Sequence, residues 1–252
     1  MVLNELIQRS PIRIFEQSIN GGLKPGEIGI IASPNGVGKT SVLVQLALDK
    51  LLQGKKVIHV SFTQHKHYVP VWYEDIFTEF IHKKNLENAV EIKDDLVKNR
   101  VLMTFNQDGV TKEQILKSLR AMIIEGGFKA DSIIIDGFDF SRTDKDCCRQ
   151  AGGLHACMAN VKNFATELGV SVWYSCSVKD DPGSPQYDKD NIPVVLAGFI
   201  ENIDVVVLLQ PKHDHVELTI SKDRGSAISK VCCANQPVAM KLDPKTLLIL
   251  EA

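Results

Sequence analysis

The sequence lacks the features that mark membrane-spanning, secreted and disulfide-rich proteins. No apolar run approaches the roughly 20 residues of a membrane-spanning helix. Charged residues at Glu5, Arg9 and Arg13 interrupt the N-terminal segment, which leaves no apolar core of the signal-peptide kind. The six cysteines include no C-x-x-C pair with metal-binding spacing, so we expect reduced thiols. These absences predict a cytoplasmic protein with no membrane partner.

The chain also lacks an excess of charge of either sign. Its formal net charge is −2 over 252 residues, so whole-molecule electrostatics do not attract nucleic acid or an anionic membrane. The composition is that of an ordinary globular protein, and no internal repeat or low-complexity tract divides it. We therefore expect a single domain over residues 1–252.

The clearest motif is a phosphate-binding loop of the Walker A type. An apolar run over residues 28–31 precedes it and a helix-forming segment follows, which is the context that such a loop requires. We expect Lys39 to be an exposed loop charge that reaches the terminal phosphates of a nucleotide, and the Thr40 hydroxyl to bind magnesium. The candidate nucleotide-binding residues are Ser33, Pro34, Asn35, Gly36, Val37, Gly38, Lys39, Thr40 and Ser41.

One position departs from the G-x-x-x-x-G-K-[ST] pattern, because Ser33 replaces the first glycine. Serine is small, so we expect the loop to close with some backbone strain. The alternative is a strand-to-helix turn that contains glycine and binds nothing.

The order of apolar segments predicts an α/β fold with a mostly parallel sheet and helices on both faces. Predicted strands lie at 28–31, 56–62, 101–103, 132–136 and 170–175. Predicted helices lie at about 41–53, two within 70–97, then 111–125 and 146–168. Residues 177–191 predict a loop. Short β runs without helices between them predict an antiparallel C-terminal extension; they lie at 205–209, 216–221, 231–233, 238–241 and 247–250.

An aspartate, Asp136, ends the apolar strand 132–136. Ligands of open α/β sheets lie at the carboxyl ends of the strands, beside the phosphate loop. We therefore predict that Asp136 and Thr40 hold magnesium together, Asp136 through a water molecule. The alternative is a structural turn aspartate in front of Gly137.

Three further motifs carry a family resemblance. They are the Gly-Gly-Leu and Pro-Gly-Glu pair at 21–27, the segment 200–209, and Ser-Lys-Asp-Arg-Gly-Ser at 221–226. The first resembles the opening of RecA-type ATPases, especially the KaiC and RadA branch. The second is similar to the strand entry of DnaB-type helicase domains, and the third resembles the K-x-R-G-[ST] segment of KaiC proteins. The resemblance covers roughly residues 12–226.

This resemblance implies a RecA-like P-loop NTPase core that binds ATP and Mg²⁺ between subunits of a homo-oligomer, either a ring or a filament. It also implies that Lys222 and Arg224 reach across to the terminal phosphate in a neighbouring subunit. Two residues apart on a strand, these side chains would project from the same face. The alternative is a solvated strand end.

The segment after the second strand departs from the family pattern. The family carries a glutamate there, whereas this chain has Thr63 and Gln64. Gln64 can orient a water but cannot take its proton, and Thr63 is a poor base. Residues 174–177 stand where many relatives carry a glutamine after the strand that begins near Val170. With Lys39, Gln64 and Asp136 as candidate catalytic residues, we expect slow or absent ATP hydrolysis.

The loops that contact DNA in such relatives have no surplus of basic residues here. Residues 142–149 are nearly balanced in charge, and residues 179–190 carry two lysines against four aspartates. We therefore favour a nucleotide-dependent regulatory or assembly factor with an unknown protein partner. The alternative is a DNA-dependent ATPase of the recombinase or helicase type.

Overall fold

The computed structural model describes residues 12–62, 68–84, 93–106, 110–142, 153–179, 186–224, 226–227, 240–243, 245–246 and 248–251. The helices are α1 (Ile12–Ser18), α2 (Lys39–Leu52), α3 (Tyr68–Lys84), α4 (Lys93–Lys98), α5 (Lys112–Arg120) and α6 (Gly153–Leu168). The strands are β1 (Ile28–Ser33), β2 (Val57–Ser61), β3 (Arg100–Thr104), β4 (Ser132–Asp136), β5 (Ser171–Ser177), β6 (Val205–Pro211), β7 (Val216–Asp223), β8 (Ser226–Ala227), β9 (Met240–Leu242) and β10 (Ile249–Glu251).

The ten strands of the described residues form one mixed sheet in the order β10-β9-β7-β6-β1-β5-β4-β2-β3, with β8 paired to β7. Strands β6, β1, β5, β4, β2 and β3 pair with one another in parallel. The C-terminal strands pair in antiparallel fashion. The α/β class, the mostly parallel sheet and the antiparallel C-terminal extension are therefore confirmed.

Two apolar cores cover the two faces of the sheet. Adjacent residues Ile30 and Ile31 of β1 enter different cores, because side chains alternate along a strand. Helices α1, α2 and α3 cover one face, and α5 and α6 cover the other. Burial of each large aliphatic side chain contributes roughly 1.5–3 kcal/mol. All six residues of β1 are buried, which explains why the strand is apolar up to Ser33.

Local signals set the helix boundaries. Helix α2 starts directly after Gly38 and ends just before Gly54, which has a φ of 74°. Helix α5 begins at a capping box in which Thr111 Oγ1 accepts from Gln114 N and Gln114 Oε1 accepts from Thr111 N. The predicted helix 111–125 is correct in extent, but its last turn, Ala121–Glu125, is π-helical.

The C-terminal extension packs against the helix that follows the phosphate loop. The Ile249 N–H donates to Gln45 Oε1 at 2.8 Å, and both groups are buried. A Cβ at Gly38 would collide with Leu242 Cδ2. The extension is thus part of the packing that supports the loop.

One predicted boundary is wrong in a way that affects the site. Strand β5 runs to Ser177 rather than ending at Ser175. Ser177 pairs with Ser33, so the strand continues as far as its neighbour β1 does. Residues 174–177 therefore lie within the strand and not after it.

Several predicted segments lie partly or wholly outside the described residues. They are the strand at 231–233, the start of the helix at 146–168, the helical pattern at 86–92 and the loop residues 180–185. The remainder of that loop contains a closed turn, in which the Asp188 carboxylate accepts from the N–H groups of Asp190 and Ile192, each at 2.9 Å.

None of the helices in the described part of the chain is long and apolar enough to cross a lipid bilayer.

Candidate nucleotide-binding site

Two glycines with left-handed backbone form the loop between β1 and α2. Gly36 has a φ of 78° and Gly38 a φ of 110°, a region that residues with a Cβ enter at a cost. Ser33 is buried at the end of β1, and its hydroxyl donates to Pro34 O at 2.8 Å. Ser33 is not among the residues with positive φ, so its backbone carries no left-handed strain.

The Lys39 side chain is folded into this loop and buried, which corrects the prediction of an exposed charge. Its Nζ donates to Pro34 O at 2.9 Å and to Ser33 O at 3.1 Å. Burial lowers the pKa of Lys39, while Cys176 and Asp136 act to raise it. The hydrogen-bond partners of the ammonium are neutral oxygens. A buried cation of this kind favours an anionic ligand.

The Thr40 hydroxyl donates to Asp136 Oδ2 at 2.8 Å, although the two residues are 96 positions apart. The sheet brings them together because β4 ends two strands away from the phosphate loop, with only β5 between β4 and β1. The two residues that the sequence analysis singled out as magnesium ligands are therefore in direct contact.

The donor chemistry of this pair suits magnesium. A hydroxyl and one carboxylate are oxygen donors, and magnesium takes its other ligands from phosphates and water. Among the described residues, no group of three or more His, Cys, Asp or Glu side chains could hold a metal ion by itself.

A serine that the sequence analysis did not single out holds the turn after Asp136. Ser175 Oγ accepts from Gly137 N at 2.7 Å, and Gly137 has a φ of 81°. In the sequence, Ser175 is only one member of residues 174–177, the segment in which RecA-type proteins often carry a glutamine. Nothing local reveals its role, because it depends on the register between β4 and β5.

A polar cluster that could not be recognised from the sequence lies behind the site, and its residues His59 and Tyr73 are buried. His59 Nδ1 lies 3.0 Å from Tyr73 Oη, and the Arg100 guanidinium lies 4.1 Å from the centroid of the Tyr73 ring. His59 pairs with Ile134 and Ser61 with Asp136, so alternation puts His59 and Asp136 on one face of the sheet.

Burial determines the charge state of this cluster. Burial lowers the pKa of His59 to about 4; the charge of Asp136 opposes this shift and that of Arg100 adds to it. Burial also raises the pKa of the Tyr73 hydroxyl. His59 Nε2 has no hydrogen-bond partner among the described residues. His59 is therefore neutral at neutral pH.

Cys176 lies beside the phosphate loop, paired in the sheet with Ala32. Burial raises the pKa of its thiol to about 12, although the charge of Lys39 acts to lower it. Neither Cys157 nor Cys176 forms a disulfide bond within the described part of the chain. The other four cysteines lie outside the described residues. Cys176 is a protonated, buried thiol.

The predicted water-orienting residues Thr63 and Gln64 lie outside the described residues, as do His65 and His67. Their roles stay predictions. The strand leading to them ends beside the candidate magnesium ligand, since Phe62 N donates to Asp136 O at 3.0 Å.

Lys222 and Arg224 lie at the end of the sheet opposite the phosphate loop, near the start of β1. Arg224 N donates to Asp204 O, and Asp204 N donates to Ile28 O at the start of β1. The phosphate loop follows the other end of β1, roughly 16 Å away for a six-residue strand. Arg224 cannot reach the phosphate loop of its own protomer.

The predicted common face of Lys222 and Arg224 is wrong. Strand β7 ends at Asp223, and Arg224 has a left-handed φ of 50° in the turn that leads to β8. Strand alternation therefore does not extend to Arg224. Lys222 Nζ donates to the carbonyls of Ile200 and Ile203.

No protein-family model matches this chain, and no curated protein matches it.

Proposed function

We propose that this chain is a RecA-type ATP-binding protein that binds ATP with Mg²⁺ at the loop of residues 33–41. We further propose that it acts as a nucleotide-dependent regulatory or assembly factor in a homo-oligomer, with slow or absent hydrolysis. The observation that carries the proposal is the contact of Thr40 with Asp136 directly beside a buried Lys39.

Each residue has a specific part in binding. The N–H groups of the loop and the start of α2 form a concave, electropositive surface that suits phosphates. Lys39 supplies a positive charge whose present partners are neutral carbonyls. Thr40 and Asp136 would hold magnesium, which neutralises phosphate charge when it is bound.

Slow hydrolysis follows from the residues after β2. A carboxylate base contributes typically about a hundredfold to ten-thousandfold to a proton transfer, and neither Thr63 nor Gln64 supplies one. The chain can bind and orient the phosphates, but it lacks the usual group for deprotonating the attacking water.

A homo-oligomer is supported by the position of Arg224. Arg224 is too far from the loop of its own protomer to contact a phosphate bound there, so a contact between Arg224 and ATP requires a second copy of the chain. In this arrangement, ATP bound by one copy would be contacted by the next copy.

Calorimetric titration with ATP in the presence of Mg²⁺ tests the proposal. The wild type should bind ATP, and Lys39→Ala should lose binding while its circular dichroism and melting temperature show a folded protein. Lys98→Ala removes an exposed lysine of α4 and serves as the matched control. Equal affinity in the wild type and in Lys39→Ala would refute the proposal.

Turnover measured with and without single-stranded DNA separates the two hypotheses from the sequence. We expect slow turnover that DNA does not change. Fast turnover that depends on DNA would instead establish the DNA-dependent ATPase.

A further inference from the structure

The side chain of Arg224 is completely engaged within its own chain. Its guanidinium donates to both carboxylate oxygens of Glu27 at 2.8 Å, to Gly22 O at 2.6 Å, to Ile19 O at 2.9 Å, and to the Asp223 carboxylate. A guanidinium has five N–H groups, and these five hydrogen bonds use all of them. Arg224 is therefore not available to any other ligand in this conformation.

The strongest part of this arrangement is the two-pronged ion pair with Glu27. Donation of hydrogen bonds to the Glu27 carboxylate raises the pKa of Arg224. Burial acts to raise the pKa of Glu27, but hydrogen bonds from Arg224 and from Lys24 N, together with the charge of Arg224, lower it overall. Both side chains keep some exposure, 24% for Arg224 and 16% for Glu27. Both shifts favour the charged forms of Glu27 and Arg224, and both side chains are accessible enough for another molecule to approach them.

Lys222 is held in a different way. Its ammonium donates to two neutral carbonyls and is not ion-paired within 4 Å in the described part of the chain. A carboxylate thus pairs with only one of the two cations of the Lys-x-Arg segment.

We propose that Glu27 is a latch that competes with the terminal phosphate of ATP bound by a second copy of this chain for the guanidinium of Arg224. This inference rests on the proposed function. Carboxylate and phosphate both match the planar fork of a guanidinium through two parallel hydrogen bonds. One guanidinium with five committed donors cannot serve both, so assembly on ATP requires that the Glu27 pair opens.

The latch sets the ATP requirement for assembly. While Glu27 is bound to Arg224, this end of the sheet offers a second copy only an ion pair whose charges neutralise each other. A terminal phosphate in the neighbouring site draws Arg224 away and completes that site. Weakening the latch should therefore favour assembly, whereas removing Arg224 should prevent it.

The test compares Glu27→Gln with the wild type by mass photometry and analytical ultracentrifugation over a series of ATP concentrations. Glutamine keeps an oxygen that can accept from Lys24 N, which bonds Glu27 Oε2 at 2.7 Å, but removes the charge. Glu27→Gln should assemble at an ATP concentration lower by about threefold or more, the factor that a partly exposed ion pair typically contributes. Arg224→Ala should not assemble on ATP, alone or combined with Glu27→Gln.

Glu167→Gln is the matched control, because Glu167 forms the same kind of bidentate ion pair, in this case with Arg120, at 2.6 and 2.7 Å. This pair does not involve Glu27 or Arg224. It should leave the ATP requirement unchanged. If Glu27→Gln folds poorly, Glu27→Asp, whose shorter carboxylate reaches Arg224 less well, should shift assembly in the same direction.

Calorimetry on each variant separates the two proposals. If the wild type binds ATP and Glu27→Gln needs as much ATP as the wild type or more, the latch is refuted and the nucleotide site stands. If the wild type binds no ATP, the proposed function fails, and the latch fails with it.

Discussion

Mild acid is expected to destabilise this protein through His59. The histidine is fully buried, and burial lowers its pKa from 6.5 to about 4. The unfolded chain takes up a proton as the pH falls through 6.5, whereas the folded protein takes it up only near pH 4. Because the unfolded state binds more protons between these two values, the free energy of unfolding decreases as the pH falls.

The size of this effect follows from the two pKa values. Proton linkage lowers the free energy of unfolding by about 2 kcal/mol between pH 7 and pH 5, and by about 3 kcal/mol over the whole pH range between the two pKa values. A domain is typically stable by only about 5–15 kcal/mol, so one histidine should account for a measurable share. The groups that modulate the shift are Asp136, which opposes it, and Arg100, which adds to it.

Urea unfolding at pH 7 and at pH 5 measures the effect. His59→Gln cannot titrate, and its amide can still hydrogen-bond to Tyr73, so about 2 kcal/mol of the pH dependence should disappear. The absolute stability of the variant at pH 7 does not enter this comparison. His82→Gln, at an exposed position of α3, is the control and should keep the wild-type pH dependence. A His59→Gln protein that loses stability as steeply as the wild type would refute the reasoning.

Three further changes test the loop, the turn after β4 and the catalytic deficit. Gly38→Ala combines a left-handed φ of 110° with crowding by the C-terminal extension, whereas Gly54→Ala has only an unfavourable φ. In urea unfolding, Gly38→Ala should therefore lower the free energy of unfolding by about 1 kcal/mol more than Gly54→Ala does. Equal losses would show that the crowding relaxes. Ser175→Ala removes the hydrogen bond that holds the turn after Asp136, so it should raise the Mg²⁺ concentration needed for ATP binding about tenfold. ATP affinity in EDTA should not change. An unchanged Mg²⁺ requirement would make Ser175 purely structural. Gln64→Glu should increase phosphate release at least several-fold, and no gain in a variant that still binds ATP would mean that the site lacks more than a carboxylate.

Local features of the chain were determined by the sequence alone. The turn at Gly36 and Gly38, the start of α2 within two residues of its predicted position, and the capping box at Thr111 each depend on residues within a few positions of one another. Apolar periodicity likewise predicted the parallel strands and the C-terminal extension. Such features can be read from sequence because steric limits on φ and hydrogen bonds at helix ends act over one or two turns of chain.

Tertiary structure decided the partners of the charged and polar side chains. Sequence motifs point to Lys39, Thr40 and Asp136 individually. Only the tertiary fold puts the Thr40 hydroxyl 2.8 Å from Asp136 and buries Lys39 among carbonyls. The same holds for His59, whose neutral state depends on its burial beneath α3. Arg224 was expected to be free for a neighbour, yet all five of its donors are engaged with its own chain. These partners lie up to about two hundred positions apart, and their meeting depends on sheet register and packing, which no local segment of the sequence encodes.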